Sequence, residues 1–300
     1  MYKSIKDIPE KEIMVGGTSS CSGCGATIGL KLVLKVLGEN TVIINPACCM
    51  TLVAYFPHSP FNCSWIHNAF ECSASTAAGI RHSLDAQGKD MNVVAYAGDG
   101  GTYDIGFQAL SFAAVNNENI IYICYNNSGY GNTGFQWSTA TSYGADTKTQ
   151  PRGSQAPLGN SKEPKDMPKI VAAHGKHCYV ATANISYPID LMNKVEKAKE
   201  YKGFSYIEIL IPCTTGWAFD PSMTITIGKE ANKCGAWPLY EIENGILTLN
   251  KKYEKLNFVD DYLNMQGRYK ALPEEGRKVL QDMITNKIQD LKDRNGKVYV

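Results

Sequence analysis

Five short runs rich in β-branched and aromatic residues recur along this chain, at 41–45, 91–97, 119–125, 180–183 and 205–211. Stretches of helical length and pattern precede or separate them, at 25–37, 71–86, 105–115, 165–174 and 189–201. Strands that alternate with helices in this way specify an α/β fold with a doubly wound, mostly parallel sheet, because each parallel pairing needs a long crossover. In such sheets ligands sit beyond the carboxyl ends of the strands. The polar clusters of this chain fall there, after Ala97, after Tyr125 and after Ile211.

Residues 128–165 are rich in Gly, Thr, Ser, Asn and Pro and are too long for an ordinary connection, which marks a functional loop. The expected organisation is a main domain over 1–222 and a C-terminal extension over 223–300 that packs on it or on partners. The extension ends in a helix at 273–293.

Composition closes off several classes of function. A formal charge of +1 with no basic stripe argues against nucleic acid as a partner. No apolar run is long enough to span a bilayer, and the segment from Met1 to Asp7 lacks the apolar core of a secretory leader. The expected location is the cytoplasm. There the ten cysteines serve as metal ligands, catalytic groups or buried apolar residues rather than disulfides.

Gly98-Asp99-Gly100-Gly101 follows a strand and precedes a helix. Glycines at a strand end let the backbone approach a diphosphate, and a helix N-terminus favours an anion. A carboxylate at that point can hold Mg2+, an ion that takes oxygen ligands and bridges phosphates. The next strand ends in Asn126-Asn127-Ser128-Gly129, so Asp99 and Asn127 are expected at neighbouring strand tips. Alone, the Gly-Asp-Gly triplet is equally a strand–helix turn with Asp as the cap. The Asn pair one strand later makes the pattern specific.

Cys21-Ser22-Gly23-Cys24 is the one CxxC pair, placed at a loop-to-helix junction. Four readings compete for it: an iron–sulfur site, a redox dithiol, half of a zinc site, or two buried thiols. No second CxxC or His pair completes an ordinary zinc module.

These motifs, taken together, resemble the 2-oxoacid:ferredoxin oxidoreductases. The stretch from Gly98 to Gly106 (GDGGTYDIG) resembles their GDG-x-x-x-DIG segment, and Tyr130 to Gln136 (YGNTGFQ) their Y-x-NTG-x-Q loop. The likeness continues through Cys213 to Trp217 (CTTGW) and Tyr262 to Lys270 (YLNMQGRYK), so it covers most of the chain. It implies the diphosphate-binding fold of thiamine-diphosphate enzymes, with an N-terminal cluster loop. Asp99, the Asn127 side chain and the Gly129 carbonyl are then the expected Mg2+ ligands, with Gly98, Gly100 and Gly101 beside the diphosphate. Asn132 is expected to face the substrate. His67 and Glu71 lie in a segment that flanks the cofactor in the family, though Cys72 stands where the family often has Asn.

By the same resemblance Cys21, Cys24, Cys49 and Cys213 are the expected ligands of a [4Fe–4S] cluster. Cys48 competes with Cys49, which spacing favours. Cys63, Cys72, Cys124, Cys178 and Cys234 are read as structural.

The implied activity is CoA-dependent oxidative decarboxylation of pyruvate, with electrons passed to the cluster and on to ferredoxin. Alternatives are oxalate, 2-oxoglutarate or another 2-oxoacid as substrate, and a non-oxidative thiamine-diphosphate enzyme with structural zinc. The chain has room for the diphosphate half alone and lacks a ferredoxin-type cysteine run. An α subunit with the pyrimidine half, a γ subunit and a ferredoxin-like δ subunit, or fused equivalents, are therefore expected partners. Trp137 follows the loop glutamine where the pyruvate enzymes tend to carry a polar or basic residue, which suggests either packing on a partner or altered substrate choice.

Overall fold

The computed structural model describes residues 1–55 and 57–299. Five strands occupy the five expected runs: β1 (Thr41–Pro46), β3 (Asn92–Gly98), β4 (Ile121–Asn126), β5 (Tyr179–Asn184) and β6 (Ser205–Leu210). Three more were not anticipated: β2 (Ser64–Asn68), β7 (Tyr240–Glu243) and β8 (Ile246–Leu249). Together they form one sheet in the order β2-β1-β3-β4-β6-β5-β7-β8. The first six strands are parallel, while β7 runs antiparallel to β5 and β8 antiparallel to β7.

The anticipated strands are the contiguous inner five, and the unanticipated ones are the edges. A strand covered on both faces must be apolar throughout, so it reads as a continuous run. β1, β4, β5 and β6 are buried at every position, whereas β2 is half-buried or exposed throughout.

Helices α1 (Gly25–Leu37) and α5 (Pro188–Glu200) cover one face. There Leu30, Val33, Leu34, Leu191 and Val195 meet Ile43, Tyr96, Ile123 and Ile207. The opposite face is covered by α2 (Ser73–Ala86), α3 (Phe107–Val115) and α4 (Met167–Ala172), packed on Ile44, Val93, Tyr122 and Val180. Each fully buried Leu or Ile contributes roughly 1.5–3 kcal/mol of transfer free energy. A third cluster gathers α6 (Thr224–Lys233), α7 (Val259–Leu263) and α8 (Glu274–Arg294) around Trp217 and Tyr269. Among the described residues no helix is long and apolar enough to cross a membrane.

Two local differences from the expected elements bear on the site. The helix expected from 105 begins at Phe107, because Gly100–Ile105 form a wider π-type turn closed by the Gly106 N–H on the Gly101 carbonyl at 3.0 Å. Such turns are rare and recur at functional sites. From β1 the chain moves outward to β2 and then returns to β3 on the other side of β1. Strand order thus reverses between β1 and β3, which opens a crevice at their carboxyl ends.

Candidate active site

That crevice is a cavity of about 370 Å3 lined by segments that leave β1, β3 and β4. Cys48, Cys49 and Thr51 come from beyond β1, Gly98 to Gly101 from beyond β3, and Asn127 to Thr133 from beyond β4, all but Ser128 on the wall. His67 and Phe70 add the β2 side. The Tyr130 ring lies over Gly100 so closely that a Cβ there would be 2.3 Å from it, which leaves glycine as the residue that fits.

Asp99 is buried at the tip of β3, and its Oδ1 accepts the Asn127 N–H over 3.2 Å. Ser138 donates to Oδ2 over 2.5 Å. Burial pushes the carboxyl up to about 7, against the opposing pull of these two donors. One terminal atom of the Asn127 amide lies 2.7 Å from the Gly129 carbonyl oxygen and 2.9 Å from Asp99 Oδ1. If that atom is nitrogen, both contacts are hydrogen bonds. If it is oxygen, three oxygens converge and a cation is what reconciles them.

Two side chains fix this corner. The Trp217 indole donates to the Asn127 carbonyl over 2.7 Å, and the Arg268 guanidinium stacks on its ring at 3.7 Å. Asp104, in the π-type turn, accepts from the Tyr130 hydroxyl at 2.9 Å and from both the N–H and the hydroxyl of Thr139. It thereby pins both limbs of the 130–139 loop to the turn that follows β3.

A second cavity, of about 400 Å3, lies beside the first. Cys21, Cys24, Cys49 and Cys213 all line it, brought from the N-terminal loop, the start of α1, the tip of β1 and the tip of β6. All ten cysteines are free thiols. Burial first, and then the neighbouring thiols of Cys48, Cys213 and Cys24, raise the Cys49 pKa. Burial also raises Cys213, while Thr215 Oγ1 and the Gly216 N–H, 3.3 Å from Sγ, act against it. Among the described residues no three His, Cys, Asp or Glu side chains converge tightly enough for a single metal ion. The four cysteines line one cavity instead. Cys48 faces the first cavity, and its thiol lies 3.2 Å from Asn45 Oδ1.

Cys49, Asn127, Gly131 and Asn132 line both cavities and form the partition between them. A Cβ on Gly131 would stand 3.0 Å from Asn127 Nδ2 and 3.1 Å from Cys49 Sγ.

The sequence-expected ligand and cofactor residues therefore line these two adjoining cavities, and Glu71 and Trp137 lie outside both. Glu71 is exposed and outside the cavity wall, which Phe70 joins instead. His67 sits on the wall with its Nε2 3.0 Å from Thr51 Oγ1. Trp137 lines neither cavity; its indole donates to Asn160 Oδ1 at 3.2 Å and Lys162 lies over its ring. Ser138, Asp104 and Thr51 were not singled out. Only the DIG stretch carried a signal, and it pointed to Asp104 without a role.

The fold and this site define a thiamine-diphosphate enzyme: residues 47–209, more than half of the chain, match the family described as thiamine pyrophosphate enzyme, C-terminal TPP binding domain. Pyruvate synthase subunit PorB of Methanothermobacter thermautotrophicus is 48% identical over 287 residues, covering 95% of this chain and 99% of that one. Ketoisovalerate oxidoreductase subunit VorB of Pyrococcus abyssi is 38% identical, covering 95% and 94%. The chain belongs to the β-subunit family of 2-oxoacid:ferredoxin oxidoreductases. Among solved structures, a 2-oxoglutarate:ferredoxin oxidoreductase from Magnetococcus marinus shares the fold, with a TM-score of 0.61 at 22% identity over 81% of this chain and 86% of that one.

Proposed function

We propose that this chain is the thiamine-diphosphate and cluster-bearing subunit of a pyruvate synthase-type complex, working with CoA and ferredoxin. The observation that carries the reading is the shared partition. A diphosphate corner and a four-cysteine cavity meet at Cys49, Asn127, Gly131 and Asn132. Bound there, thiamine diphosphate supplies the electron sink for decarboxylation and a [4Fe–4S] cluster supplies the one-electron acceptor.

The residues fit both groups. Asp99, the Asn127 oxygen and the Gly129 carbonyl give Mg2+ three oxygens, the Asn127 atom already 2.7 Å from the Gly129 oxygen and 2.9 Å from Asp99 Oδ1. Cys21, Cys24, Cys49 and Cys213 give a polynuclear cluster four thiols around a void, whereas a zinc site needs its sulfurs about 2.3 Å from one point. Cys49 is favoured over Cys48 because it faces that void. The Asp99 carboxylate anchors the cation, Ser138 and the Asn127 N–H hold the carboxylate in place, and Asn132 offers its amide to the reacting end of the 2-oxoacid.

Pyruvate is the proposed substrate because four relatives named for pyruvate synthase, at 42–48% identity, are more similar than those named for ketoisovalerate oxidoreductase, at 38%. The pyrimidine half of the cofactor site and the outward electron relay fall to α, γ and ferredoxin-like δ subunits, in a reducing cytoplasm that keeps the cysteines out of disulfides. The test is an iron, sulfide, zinc and thiamine-diphosphate assay on anaerobically purified protein, with an EPR spectrum of the dithionite-reduced sample. About four iron and four sulfide per chain are expected. Zinc without iron would move the function to non-redox thiamine chemistry.

A further inference from the structure

Phe135 is the one aromatic residue among the non-glycine residues described with positive φ, at +67°. Bulky side chains avoid this region, and such strain persists where the surroundings hold it for a purpose. The turn itself asks for a left-handed residue: the Phe135 N–H donates back to the Tyr130 carbonyl over 2.9 Å, and the Tyr130 N–H to the Gln136 carbonyl over 2.9 Å. Glycine would meet that demand without strain.

What glycine would not supply is the ring. It is buried, lines the cysteine cavity with Cys21, Cys24, Cys49 and Cys213, and leaves no room for a side chain on either neighbour. A Cβ on Gly216 would be 2.2 Å from the ring and one on Gly129 3.0 Å from it. Gly216 is the residue whose N–H points at Cys213 Sγ. The ring thus forms an apolar stretch of the cavity wall beside Gly216 and seats a donor on one of its sulfurs.

We propose that Phe135 is a positioning residue that shields the Cys213 side of the cysteine cavity from water and tunes the group held there; this rests on the cluster reading above. Water near a thiolate-ligated cluster favours the more negatively charged, reduced form, and an apolar wall disfavours it. On that side the apolar ring also slows the approach of dioxygen to the sulfurs and iron.

The test uses the full chain, loaded anaerobically with iron and sulfide, as wild type, Phe135→Gly and Phe135→Leu. Phe135→Gly should keep four iron per chain, because glycine adopts this backbone freely. Its reduction potential, followed by EPR, should move in the positive direction, and its visible absorbance in air should bleach several-fold faster. Phe135→Leu, which retains an apolar cover, should fall between the two and keeps the test open if the glycine variant loses its fold. A ring that merely fills the core predicts lower thermal stability with potential and bleaching rate unchanged, and that result overturns the proposal. Wild type without iron overturns the cluster reading and the proposal with it; loaded wild type indistinguishable from the variants overturns the proposal alone.

Discussion

The Trp217 indole N–H lies 2.7 Å from the main-chain oxygen of Asn127, so the segment that carries Cys213 is hydrogen-bonded to the segment that carries the proposed Mg2+ ligand. Trp217→Phe keeps most of the buried ring and deletes the donor. The chain should lose about 1 kcal/mol in urea unfolding, plus the mismatch in ring size. Thiamine diphosphate should bind more weakly in calorimetry at fixed Mg2+. Unchanged affinity would mean that Asn127 is held by other contacts.

Ser138→Ala removes the 2.5 Å bond to Asp99 Oδ2 and leaves a buried carboxylate with one donor fewer. A charge-assisted hydrogen bond of this kind is worth about 1.5–3 kcal/mol. Mg2+ affinity in the presence of thiamine diphosphate should therefore fall by about tenfold or more, measured by titration calorimetry. Iron content should stay at the wild-type level.

Gly131→Ala puts a methyl group 3.0 Å from the Asn127 amide and 3.1 Å from Cys49 Sγ. Both neighbours must give, so thiamine-diphosphate retention and iron content should drop together in one metal and cofactor assay. A variant that loses only one of the two would break the claim that Gly131 belongs to both walls.

Glu208 is fully buried on β6 and accepts from the Tyr103 hydroxyl, the Asn126 amide at 2.8 Å and the Tyr206 hydroxyl at 2.9 Å. Glu208→Ala strands the buried Tyr103 and Tyr206 hydroxyl donors, leaves the Asn126 amide its 3.2 Å bond to the Tyr103 oxygen, and should cost about 3–5 kcal/mol in unfolding free energy. Burial raises the carboxyl pKa above its ordinary 4.5, the three donors notwithstanding. The folded chain thus holds this proton more tightly than the unfolded one. The stability it contributes is fully present below pH 4.5 and is lost as pH rises through the folded pKa. Unfolding curves of wild type and Glu208→Gln, compared from pH 4 upward, should show wild type losing ground with pH; a parallel pair would rule this out.

What could be read from the sequence follows from how each element is buried. The inner strands and α1 were legible because burial on both faces, or on one helical stripe, writes a continuous or periodic apolar pattern. β2 was not, since Ser64-Trp65-Ile66-His67-Asn68 sits at an edge and has no buried position to advertise. The β7–β8 hairpin carries a turn signal of its own in Asn244-Gly245, both with positive φ, between Tyr-Glu-Ile-Glu and Ile-Leu-Thr-Leu. At the site, the Gly-Asp-Gly and Asn-Asn pattern and the cysteines stand out in the sequence because the chemistry proposed for them constrains residue type and order. Ser138 and Trp217 act across distances of 39 and 90 residues, on partners that tertiary packing alone supplies.

The partition between the two cavities is one residue thick at Gly131, and this makes the occupancy of each a thermodynamic matter for the other. A group that firms the wall from one side lowers the cost of ordering it for the group on the other side, and the coupling acts equally in both directions. With the proposed cluster in the cysteine cavity, iron lost to air should first be noticed as thiamine diphosphate that washes out more easily, and adding the vitamin cofactor should slow the loss of iron.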